Sequence, residues 1–186
     1  MVVYHIRRIV LESLPVLTAG VIIALAAGYM LNSSITEISE IPLILMMIPL
    51  VNGIGGNLGS ILGARITSAL HLGVLKPKLR GQRVLRGNTI ATTIISFTVY
   101  SIMAMFLLAI AYMTGMSITR SLSLALAFFI AGITLSILII FVTVASAFVS
   151  FKGRLDPDNV VIPILTSVGD VLGVTCLMLA IKIIGV

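Results

Sequence analysis

The residue whose type and position ask most for chemistry is Asp170. Eleven uncharged residues precede it and eleven follow before Lys182. On a helix rising about 1.5 Å per residue, that places it roughly 16 Å from either end, near the middle of a membrane-spanning segment. A charged Asp at that depth costs on the order of 2.5–3.5 kcal/mol on insertion scales, and ordinary helix packing asks for no such cost. An intramembrane acid is read first as a site for an ion or a proton; a protonated or internally paired structural Asp is the plain alternative. Thr166 lies one turn earlier on the same face, so the two side-chain oxygens can converge. Gly169 and Gly173 form a G-x-x-x-G pair that admits a neighbouring helix closely, a packing role compatible with an ion site beside it.

The second signal is the stretch Pro49-Leu50-Val51-Asn52-Gly53-Ile54-Gly55-Gly56-Asn57-Leu58-Gly59. Two Asn side chains flank the Gly-rich stretch near the centre of a long apolar run. A straight helix over 42–73 would be about 48 Å long, against a hydrocarbon core of about 30 Å. Strong tilt, protrusion or a break is required, and Gly55-Gly56 is where a break or a very close helix contact is expected. Irregular backbone at that depth survives only inside protein or along a watery cavity, and its freed carbonyls would suit a cation. On this reading Asn52, Gly55, Gly56 and Asn57 belong to an ion pathway, with Asp170 and Asn57 as metal ligands. Gly55, Gly59 and Gly63, spaced by four, also read as a packing stripe.

Other polar residues have simpler explanations. Asp156-Pro157 is good chemistry for starting a helix. Arg65 is expected to snorkel to an interface. Glu12, His5 and His71 fall near membrane edges and receive no functional role. No nucleophile–base pair, HExxH, CxxC pair or phosphate-binding loop is present, so a hydrolase or transferase has no visible equipment.

The elements that must position these residues follow from composition. Hydrophobic residues make up 59% of the 186 and charged residues 10%, with a mean hydropathy of +1.24. A soluble domain is about a quarter charged, so this chain cannot cover a globular surface with polar groups, and membrane lipid must be part of its solvent. Five spans are expected, near 11–31, 42–73, 88–114, 121–150 and 160–182, in an all-α integral membrane fold. Arg7 and Arg8 before an apolar stretch, with Ala24-Leu25-Ala26 further on, admit a signal-peptide reading of the first span. Glu12, Pro15 and the length of the apolar run argue against it. The lone Cys176 cannot form an internal disulfide.

Topology follows from the bases. With the amino terminus inside, inner segments hold Arg7, Arg8, Lys76, Lys78, Arg80, Arg83, Arg86, Lys152 and Arg154, and outer segments hold only Arg120 and Lys182. The first outer loop carries Glu37 and Glu40 and no base. The positive-inside rule therefore sets the amino terminus in the cytoplasm and the carboxyl terminus outside, in a multi-pass protein of the cell membrane. Tyr4, Tyr29 and Tyr112 fall near span ends, where amphipathic rings prefer to sit. The net charge of +6 is spread over short loops with no aromatic-rich basic platform, which excludes nucleic acid as a partner. An odd number of spans excludes two complete inverted halves in one chain, so any two-fold symmetry must come from a second subunit.

Two segments carry a family resemblance. Pro49-Leu50 through Gly55-Gly56-Asn57-x-Gly59, and Leu155-Asp156-Pro157-Asp158-Asn159 through Pro163, Thr166-Ser167 and Asp170, resemble the two signature regions of the MgtE-type magnesium transport domain. The wording of the second, and Arg65 eight residues after Asn57, look closer to its eukaryotic relatives, the solute-carrier magnesium transporters. The resemblance covers nearly the whole chain, read as one transport domain over 1–186. It implies a Mg²⁺-permeable pore on the two-fold axis of a homodimer, with the pore acid at Asp170, the Gly-Gly-Asn stretch near the path, and no organic cofactor. Two departures are visible. Only about ten residues precede the first span, where the bacterial channels carry a cytoplasmic magnesium sensor, so no sensor domain is expected within this chain. Ile61 stands where the bacterial form usually has Gln.

The ion chemistry agrees independently. Mg²⁺ dehydrates reluctantly and is commonly held through one or two carboxylates plus waters; one acid per chain gives two across a two-fold axis. The expected function is a Mg²⁺ channel or transporter. The alternatives are a divalent cation exchanger coupled to Na⁺ or H⁺, and a non-transporting subunit of a membrane assembly.

Overall fold

The computed structural model describes residues 6–33 and 41–185, the Arg8 side chain excepted. Tyr4, His5, Glu37 and Glu40 lie outside the described residues. The chain forms five long helices: α1 (Ile6–Ser33), α2 (Pro42–His71), α3 (Arg83–Met113), α4 (Ile118–Lys152) and α5 (Pro157–Ile184). All five are long and apolar enough to cross a membrane. The expected spans fall on them one for one; α1, α4 and α5 run a few residues past their spans at both ends, and α3 does so at its start.

Local chemistry explains the boundaries. α2 and α5 open on Pro42 and Pro157, whose missing N–H is one the first turn would leave unpaired anyway. Asp156 caps α5, its carboxylate accepting from the Asp158 N–H at 3.1 Å. Ser117 caps α4 by accepting from the Arg120 N–H at 3.4 Å. Gly185 closes α5 in the left-handed conformation, φ +75°.

α4 is the central element, packed against α2, α3 and α5, while α2 also touches α3 and α5. In lipid no hydrophobic effect draws helices together, so close packing of small residues and interhelical hydrogen bonds must do so. α4 meets that need with a buried face rich in Ala, Ser and Gly around Phe128, Leu135 and Ile139. The buried Ser96, Ser136 and Thr143 hydroxyls each donate to a carbonyl four residues earlier, which satisfies them within their own helices. Helix α1 stands apart. Among the described residues it packs against α5 alone, and only Gly20 and Ala27 of it are buried.

One expectation is corrected here. α2 is continuous through Gly55-Gly56, with no break that would free carbonyls for a cation. Its 30 residues span about 45 Å, so the helix must tilt or extend past a core of about 30 Å. The glycines serve the other purpose foreseen for them, close contact. A Cβ on Gly55 would meet Leu135 Cδ2 at 2.6 Å, and one on Gly59 would meet Ile139 Cγ2 at 2.8 Å. On Gly63 it would meet Val161 Cγ1 at 3.1 Å. Backbone contact with α4 and α5 consumes this stripe.

Candidate functional site

Asp170 sits half-buried on α5, facing α2. Asn52 Nδ2 donates to its Oδ1 at 3.2 Å and to its backbone carbonyl at 3.4 Å. The amide must present nitrogen to the acid, because its oxygen would set two acceptors against each other. Gly173, one turn further along α5, makes the approach possible: any Cβ there would overlap Asn52 Oδ1. That oxygen is buried and has no hydrogen-bond partner among the described residues. An unpaired buried acceptor costs about 1–3 kcal/mol, which a hydrogen bond to a charged group can offset. Gly169 is an ordinary contact by comparison, with Ile139 Cδ1 3.4 Å from its would-be Cβ.

Tyr100 supports Asn52 from the far side. Its hydroxyl donates to the Val51 carbonyl at 3.1 Å. Its ring is fully buried and lies against Gly132, where a Cβ would overlap it. Sequence reasoning passed over Tyr100, although a lone Tyr in the middle of an uncharged run has to find a partner for its hydroxyl.

The other expected site residues are arranged differently. Thr166 is exposed and turns its hydroxyl back to the Pro163 carbonyl at 3.0 Å, with no hydrogen bond to Asp170 among the described residues. Asn57 is exposed and Gly56 half-exposed. At about 100° per residue, Asn57 lies roughly 140° around α2 from Asn52, so the two amides do not converge. Together with Gly53, where a Cβ would meet nothing within 4 Å, they form an open stripe on α2. Among the described residues, no three His, Cys, Asp or Glu side chains converge.

A second polar cluster lies where α1 and α5 begin and α2 ends. Glu12 Oε2 accepts from the Asp156 N–H at 3.1 Å and from Asn159 Nδ2 at 3.0 Å, and His71 Nε2 is 4.0 Å from Asp156 Oδ1. Glu12 thus ties α1 to the start of the helix that carries Asp170. The signal for this was a carboxylate inside an apolar span, which demands a partner. Arg65 Nη1 reaches Asn88 Oδ1 at 3.4 Å, linking α2 to α3.

The sequence model of the MgtE family, described as divalent cation transporters, matches residues 48–180, which takes in Asn52, the Gly-Gly-Asn stretch and Asp170. The chain belongs to the MgtE family. The matched region runs from α2 into α5 and leaves out α1. Among curated proteins, this MgtE-family chain is similar to solute carrier family 41 member 3 of Mus musculus, 27% identical over 180 residues and 89% of the chain. The Rattus norvegicus protein of the same name is likewise 27% identical over 180 residues. The chain spans 36% and 38% of the length of these two relatives. No solved structure matches. As an MgtE-family member with five membrane-length helices, the protein is a multi-pass membrane protein of a divalent cation transporter family.

Proposed function

We propose that the chain forms a homodimeric Mg²⁺ channel or transporter in which the Asp170 carboxylates of two subunits bracket a hydrated ion on the two-fold axis. The observation that carries this reading is the Asn52–Asp170 contact seated on Gly173. A midplane acid with one amide donor is oriented without being neutralised, and its remaining lone pairs stay available. One carboxylate balances only half the charge of a divalent ion, and closed isologous pairing supplies the second. Mg²⁺ retains most of its waters, so two carboxylates and a shell of water suit it better than a dehydrating cage would.

In this account Asn52 orients the acid, while Asn57, Gly56 and Thr166 line the approach. The open stripe on α2 supports that assignment, because no helix among the described residues covers it. Gly55, Gly59, Gly63 and Gly169 hold the helices close. The amino terminus lies in the cytoplasm and the carboxyl terminus outside, as the distribution of bases requires. The whole of 1–186 acts as one transport domain.

Rescue of a magnesium-starved strain tests the proposal. Growth should return in a metal-dependent way with the wild-type chain and fail with Asp170→Asn expressed to the same level. Rescue by that variant would contradict the proposal.

A further inference from the structure

The face formed by α3, α4 and the loop between α2 and α3 carries two open grooves unconnected with Asp170. One, of about 690 Å³, has Arg83 and Arg86 at its mouth and Ile137 and Ile140 along its wall. The other, of about 670 Å³, has Lys78, Arg80 and Lys152 at its mouth and Phe148 along its wall. Leu79, Phe141 and Val144 line both and so stand between them. No acidic residue lines either groove, and none of the five bases is ion-paired with a carboxylate among the described residues. Leu79 and Phe141 are 73% and 72% exposed, large apolar groups left open beside the positive charge.

The loop that carries these bases is built rather than slack. Gln82 Oε1 accepts from the Lys76 N–H at 2.7 Å, and its Nε2 donates to the Lys76 carbonyl at 2.8 Å and to the Lys78 carbonyl. Gly81 turns the chain at φ +77°. One side chain thus ties down the loop backbone and holds Lys78, Leu79 and Arg80 at the rim. Depth fits as well. Phe141 and Lys152 are eleven residues apart on α4, about 16 Å along the axis, which is close to one leaflet of a core about 30 Å thick.

We infer that this face binds one anionic diacyl phospholipid, its phosphate among the five bases and its acyl chains along the two grooves on either side of Leu79 and Phe141. Charge complementarity selects the headgroup, and the apolar walls below the bases select a ligand with chains. A soluble phosphate compound would have no use for those walls, and a zwitterionic lipid would gain little from five unpaired cations. Orientation in the membrane accounts for bases on this side of the bilayer, but it requires neither the grooves nor the Gln82 tie.

Native mass spectrometry of the full chain in detergent, titrated with dioleoyl phosphatidylglycerol or dioleoyl phosphatidylcholine, tests the inference. Each base near an anionic headgroup contributes about a five-fold gain in affinity. Phosphatidylglycerol should therefore bind at least about ten-fold more tightly, and millimolar glycerol phosphate should not displace it. Arg83→Gln with Arg86→Gln should cut the affinity for phosphatidylglycerol by about 25-fold, and Phe141→Ala should weaken binding of both lipids. Equal binding of the two lipids would overturn the inference and leave the bases an orienting role alone. Displacement by glycerol phosphate would overturn it in favour of a soluble anion. An undiminished preference in a folded Arg83/Arg86 double variant would also overturn it. Should that variant fail to fold, the headgroup and competitor comparisons on the wild-type chain still decide.

Discussion

Asn52 on α2 and Gly173 on α5 fit one into the other: the amide oxygen occupies the space a Cβ at 173 would need, which lets the amide nitrogen reach Asp170 Oδ1 at 3.2 Å. Gly173→Ala therefore sets two effects against each other. Ala gains about 1 kcal/mol in helix propensity, but overpacking costs about 1–3 kcal/mol and a displaced Asn52 gives up its bond to the acid. Loss should win, and the variant should unfold at lower temperature in detergent and transport less. Gly28→Ala, where a Cβ meets nothing within 4 Å, should be neutral or stabilising in the same assay. Gly173→Ala combined with Asn52→Ala should recover stability and not flux. Recovery of flux as well would show that the amide is only a packing group.

The support behind Asn52 has its own signature. Tyr100→Phe removes one hydroxyl contact to the Val51 carbonyl and should cost about 0.6 kcal/mol, the average for such bonds between membrane helices. Gly132→Ala drives a methyl into a fully buried ring and should cost about 1–3 kcal/mol or more. Thermal unfolding of the two variants side by side measures the ratio. A milder effect at Gly132 than at Tyr100 would mean that the α3–α4 contact is looser than the structure has it.

The open stripe on α2 makes a separate prediction. Asn57→Leu should lower Mg²⁺ flux several-fold in liposomes while leaving the protein folded and dimeric by light scattering. Unchanged flux would place Asn57 against lipid.

What the sequence disclosed of this arrangement depended on how far each signal reached along the chain. Five helices were legible because runs of roughly 20 apolar residues admit few other readings. Asp170 was legible because a charge in such a run has a large and known cost. The Asp156-Pro157 start of α5 was legible because capping is local. Partnership was not. Asn52 and Asp170 are 118 residues apart, and nothing in either neighbourhood names the other. Of the two Asn residues, the pattern pointed more strongly to Asn57, which is exposed, than to Asn52, which touches the acid. A break at Gly55-Gly56 was a sound local expectation, but Leu135 and Ile139 on another helix decide what those glycines are for. Glu12 was given no role and Tyr100 was passed over for the same reason, since the groups that satisfy them lie 144 and 49 residues away.

Topology can be checked without transport. A single cysteine introduced in the 76–86 loop, at a position other than Gln82, should be protected from an impermeant thiol reagent in intact cells and labelled after permeabilisation. Cys176 is buried and should contribute little background. Labelling from outside would invert the orientation and remove the positive-inside argument.

The central claim is that Asp170 supplies the charge that holds the ion. Asn at 170 keeps the size and the capacity to bond Asn52 while removing the charge, so folding and dimerisation should survive. Mg²⁺ uptake into liposomes, measured with purified wild-type and Asp170→Asn protein at matched incorporation, tests the claim most directly. The account predicts flux down the Mg²⁺ gradient for the wild type and near-complete loss for the variant, with unfolding temperatures within a few degrees of each other. Wild-type flux through a folded Asp170→Asn protein would contradict it.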